Sequence, residues 1–148
     1  MKKSSITLNW EGVWKIEDDE FPFDIPDIEG IYMVISAKVI NGTGTLDRSS
    51  YKLLYIGEAE KIRSKIIKHE VWSHWKKNNK DTIFLKIAKC QVGIEKRKKI
   101  ERFLVYNTKP VFNEQCGKED LPIEADTIEV INTGAKLPLK DRYILDTY

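Results

Sequence analysis

Cysteine is scarce. Cys90 and Cys116 are the only two in 148 residues and stand 26 positions apart. Without a CxxC pair or a clustered His/Cys set, neither a zinc site nor a disulfide framework is expected. Long apolar runs are missing as well: nothing approaches the roughly 18 to 20 residues that a membrane helix needs. The first residues, Met1-Lys2-Lys3-Ser4-Ser5, lack the apolar stretch of a secretory signal, so a reduced, cytoplasmic setting and no membrane partner are the expectation. There is no low-complexity tract, no internal repeat and no Gly/Ser-rich linker. The length then suits one domain, large enough to bury a core of its own.

Apolar residues make up 41% and charged residues 32%, a globular balance. Net charge is only +2, yet its distribution is uneven. Residues 1–57 carry 6 Lys/Arg against 9 Asp/Glu, residues 58–118 carry 16 against 7, and residues 119–148 carry 3 against 7. A basic middle between acidic ends suggests a surface that meets a polyanion. The competing explanation is that lysines merely solvate two helices.

Periodicity indicates an α+β fold: a small antiparallel sheet flanked by helices. Ile6, Leu8, Trp10, Trp14 and Ile16 fall on even positions, as in a strand, with an interruption at Glu11-Gly12. Residues 17–29 are acidic, carry Pro22 and Pro26, and read as a connector. Ile31 to Ile40 is apolar on both faces, as a central strand would be. Asn41-Gly42 and Gly44 turn the chain into a polar loop, and Tyr51 to Ile56 returns as a second strand. After Gly57, Ile62 and Ile66 take helical spacing, with Glu58 and Glu60 placed where a helix N-terminus favours negative charge. A shorter helix is expected around Val71 to Lys77. Thr82 to Ala88 reads as a strand and Glu95 to Asn107 as a helix with Ile100, Phe103 and Leu104 buried, stopped by Pro110. A last strand is expected over Thr127 to Ile131.

Gly30-Ile31-Tyr32 opens the first hairpin strand and Tyr55-Ile56-Gly57 closes the second. These tripeptides resemble the two signatures of the GIY-YIG nuclease family. Downstream spacing adds to the resemblance. Lys65 stands eight residues after Gly57, where the family usually has arginine, and His69 follows four later. Glu101 and Asn113 match a helical glutamate and an asparagine twelve residues on, with Lys109-Pro110 between them. The resemblance covers roughly residues 28–114 and leaves 1–27 and 115–148 as extensions of one domain, to add a strand or cover an edge. Two departures stand out. Tyr32 and Tyr55 are 23 apart, wider than is common in the family, and the loop at Gly42 to Ser50 absorbs the excess at small entropic cost. The arginine position holds lysine.

The resemblance implies a metal-dependent endonuclease that hydrolyses DNA phosphodiesters, with Mg²⁺ (or Mn²⁺) on Glu101 as the only protein ligand. A hard, mostly hydrated ion suits a single carboxylate. Glu101 could instead be a surface residue paired with Arg97 or Lys98. Tyr32 is the candidate general base. A phenol near pKa 10 needs a basic neighbour for that work, and His69 is the candidate. Lys65 and His69 share a helix face and could reach one phosphate. Tyr55 would orient water or phosphate. Gly30 and Gly57 would permit close backbone approach, and Asn113 would tether the loop after the helix. Arg63, Lys68, Lys76, Lys77 and Arg97 are candidate DNA contacts, although Arg63 should point away from Lys65. Trp72 and Trp75 read as core more readily than as base-stacking surfaces, and Trp10 and Trp14 as core. The alternative reading is a catalytically weakened module that binds nucleic acid, DNA or RNA. A third is a protein-interaction domain that uses the acidic flanks. Oligomeric state, monomer or homodimer, stays open.

Overall fold

A computed structural model describes residues 4–16, 21–68, 81–114 and 128–144. Six strands form one mixed sheet: β1 (Ser4–Ile16), β2 (Gly30–Ala37), β3 (Lys52–Ala59), β4 (Thr82–Lys89), β5 (Ile128–Gly134) and β6 (Arg142–Ile144). Their order is β3-β2-β4-β1-β5-β6. Helix α1 spans Ile62–Ile67 and helix α2 spans Ile94–Thr108. The class is therefore α+β, as expected. No described helix is long and apolar enough to cross a membrane.

The sheet differs from the expectation in two ways. It is larger, because β1 inserts beside β4 and β5 and β6 continue outward, so both flanking segments join the same sheet. It is also not purely antiparallel, since β1 and β5 run parallel, with Ser4 opposite Ile128 and Trp10 opposite Gly134. Alternation within one strand reports which face is buried and says nothing of the neighbour's direction. The expected break at Glu11-Gly12 appears as a shift of register between Gly12 and Trp14 against β4. β6 had no sequence signal: it is three residues long, and only its middle residue, Tyr143, turns toward the core.

β2 is buried along its whole length, as its apolar run from Ile31 to Ile35 requires, and the burial extends over Ser36. One face of the sheet, with Ile31, Met33, Ile35, Ile56 and Phe84, packs against Ile100, Phe103 and Leu104 of α2. The other, with Tyr32, Val34, Leu54, Leu85 and Ile87, packs against Ile62 and Ile66 of α1. Trp10 is core, and its indole nitrogen donates to Asn132 Oδ1 at 2.9 Å. Trp14 is half-buried. β3 forms one border of the sheet, and its outer backbone is not left bare. Val111 N donates to the Leu53 carbonyl at 3.2 Å and Phe112 N to the Leu54 carbonyl at 2.8 Å.

Candidate active site

The hairpin register places the two tyrosines on one face. Tyr32 lies opposite Gly57 and Val34 opposite Tyr55, so Tyr55 is diagonal to Tyr32 across β2 and β3. Their ring centroids are 6.1 Å apart at 38°. Gly57 is the residue this geometry demands: a Cβ there would lie 2.4 Å from Cζ and Oη of Tyr32. Gly30 is equally constrained, with a hypothetical Cβ 2.2 Å from the Ala88 carbonyl oxygen.

The Tyr32 hydroxyl is buried, and the Tyr55 phenol is its polar neighbour. Burial holds its pKa well above the ordinary tyrosine range, with the Tyr55 phenol and the charges of Glu101 and Glu58 adding to the rise. Tyr55 is raised as well, first by burial and then by Glu101. Both phenols therefore stand in the field of the α2 carboxylate.

Glu101 itself is pushed up to about 7, first by burial and then by the Glu58 carboxylate, against the opposing charges of Lys65, Arg102 and Lys98. Lys65 is carried on α1, and its ammonium donates to the Glu58 carbonyl at 2.6 Å. An ammonium has three donors, so two remain for a ligand. α1 is anchored from outside itself: Asp27 accepts from Ser64 N at 3.0 Å and from Ser64 Oγ at 2.9 Å. Asp27 thus replaces the missing cap of a helix whose preceding residue, Lys61, cannot supply one. Asn113 locks the return from α2 onto β3. Its side chain accepts from Ile56 N at 2.8 Å and donates to the Ile56 carbonyl at 2.9 Å. This is the tether expected from the sequence.

Compared with known proteins, the chain matches no family model, no curated protein and no solved structure.

Of the sequence-predicted site residues, Tyr32, Tyr55, Lys65 and Glu101 converge, with Gly30, Gly57 and Asn113 shaping the strands beneath them. His69, Lys76 and Lys77 lie outside the described residues, as do Trp72, Trp75 and the short helix expected there. Lys68 is exposed at the C-terminus of α1. Arg63 is half-buried beside Asp27, with its Nε lacking a hydrogen-bond partner.

Arg97 is a correction. As a DNA contact it should be exposed, yet it is 4% exposed. Its Nε donates to Glu58 Oε2 at 2.9 Å, and its NH1 pairs with Glu29 Oε2. A guanidinium removed from water needs such compensation, and two carboxylates provide it. For the same reason Arg97 does not serve as the partner of Glu101 one turn later. The role expected of Glu58 is corrected too: it belongs to β3, not to a helix start, and α1 begins only at Ile62. Neither Glu58 nor Glu29 could be identified as part of the site from sequence. Their partner is 39 or 68 positions away, and nothing local marks the pairing.

Proposed function

We propose that this chain is a metal-dependent endonuclease that hydrolyses DNA phosphodiester bonds, with Glu101 holding a divalent cation. The observation that supports it most directly is the pair of phenols, Tyr32 and Tyr55, packed side by side and both in the field of Glu101. Glu101 fits a cation on the chemistry of its surroundings. It is desolvated, its own charge is disfavoured, and Glu58 adds negative potential. A lone carboxylate suits Mg²⁺ or Mn²⁺, which keep most of their water. The ion would supply Lewis acidity for the phosphoryl group.

In this reading the chain's own groups do the rest. The free ammonium protons of Lys65 hold a phosphate oxygen. Tyr55 orients the scissile group. The Tyr32 oxygen accepts a hydrogen bond from the attacking water, and His69 takes up the proton. The water oxygen bonds to phosphorus, the bond to the departing oxygen breaks, and that oxygen is protonated by solvent. The raised pKa of Tyr32 makes it a poor free base, so its part is to orient the water and pass the proton on rather than to exist as phenolate.

That same raised pKa favours a second reading, a nucleic-acid-binding module that has lost efficient chemistry. Incubation with supercoiled plasmid and Mg²⁺, with EDTA and Glu101→Ala controls, decides between them. The nuclease reading expects nicked or linear product with metal alone and none from Glu101→Ala. Salt-sensitive binding without any metal-dependent product refutes it in favour of the module.

A further inference from the structure

Glu58 stands at a junction. Its carboxylate receives Arg97 of α2, and its backbone carbonyl receives Lys65 of α1. Glu29, at the entrance to β2, holds Arg97 by its other side and accepts from Gly93 N at 2.9 Å, where α2 begins. The first turn of α2 is thus bolted to β3 and to the entrance of β2 by one buried guanidinium. Apolar packing takes over only from Ile100 onward. Glu101 lies at that boundary, one turn after Arg97.

We infer that Arg97 is a positioning residue: clamped by Glu29 and Glu58, it fixes how far and at what angle α2 presents Glu101 toward a divalent cation beside Lys65. The inference rests on the metal site proposed for Glu101. Arginine is required because its planar fork addresses two carboxylates on different elements at once, and a lysine ammonium lacks that geometry. Outer partners that orient a metal ligand typically change affinity about 10- to 100-fold when removed.

The test is a titration of the full-length protein with Mn²⁺, followed by electron paramagnetic resonance, for wild type, Arg97→Lys, Arg97→Met and Glu101→Gln. Positioning and simple charge effects predict opposite outcomes. Arg97→Lys keeps the charge and loses the fork, so positioning predicts a dissociation constant about 3- to 10-fold higher, whereas a pure field effect predicts no change. Arg97→Met removes a cation near the site, so a field effect predicts tighter binding, whereas positioning predicts binding weaker still than in Arg97→Lys. If Arg97→Met does not fold, Arg97→Lys carries the test alone. Wild-type affinity in Arg97→Lys overturns the inference and leaves the metal site standing. Wild type that binds no Mn²⁺ sensitive to Glu101→Gln overturns the metal site and this inference with it.

Discussion

Glu101→Gln should make the protein more stable, and only above a certain pH. The carboxyl goes from 4.5 in the unfolded chain to about 7 in the fold. Between those values the folded state binds the proton more tightly than the unfolded state, so wild-type stability falls as pH rises through that window. Above about pH 7 the deficit is complete, and below about pH 4.5 it vanishes. At about 1.4 kcal/mol per unit, the shift corresponds to about 3 kcal/mol, trimmed to about 2 kcal/mol by solvent on the side chain's open face. Glutamine keeps the shape and never ionises. In urea, near pH 8, its transition should lie about 1 M above that of wild type, for a slope of about 2 kcal/mol per molar. Near pH 4.5 the two curves should converge. Mg²⁺ should raise the wild-type midpoint near pH 8 and leave Glu101→Gln unmoved, because only the ionised carboxylate gains from a bound cation. An increment independent of pH, or a variant less stable than wild type near pH 8, would refute the view that Glu101 is held in the fold against its own charge.

Three further outcomes follow from the same geometry. Tyr32→Phe removes a buried hydroxyl whose polar neighbour is the Tyr55 phenol, so it should abolish cleavage while changing stability by no more than about 1 kcal/mol; a fully active variant removes Tyr32 from the mechanism. Lys65→Arg should cleave at least as fast as wild type in single turnover, since a fork grips phosphate better than one ammonium, while Lys65→Ala should fall at least about 100-fold. Lys65→Ala cleaving at the wild-type rate refutes its role. Gly57→Ala drives a methyl into the Tyr32 ring and should cost about 1 to 3 kcal/mol by thermal or urea melting; an unperturbed melt contradicts the close approach of strand and ring.

The strands and helices that carry the site were largely legible in the chain. Ile31 to Ile56 reads as a hairpin because its apolar run, its glycines and its returning strand are local features. Ile100, Phe103 and Leu104 mark the buried face of α2 by helical spacing, and all three are buried. The spacing from Glu101 to Asn113 also has a local cause: it is the length of chain that descends α2 and returns to Ile56. The tertiary structure decided what periodicity cannot encode. The parallel pairing of β1 with β5 joins segments more than 120 positions apart, and strand direction leaves no trace in alternation. Arg97 sits in a run of four cations, where helical spacing from Ile100 turns Lys98 away from the core but does not say which of Lys96 and Arg97 is the buried one. Only the arrival of Glu29, just before β2, and of Glu58 from β3 makes its burial affordable. The burial that lifts Glu101 to about 7 likewise exists only once α2 lies over the border strand, since a carboxylate's solvation is set by its neighbours in space and not by those in sequence.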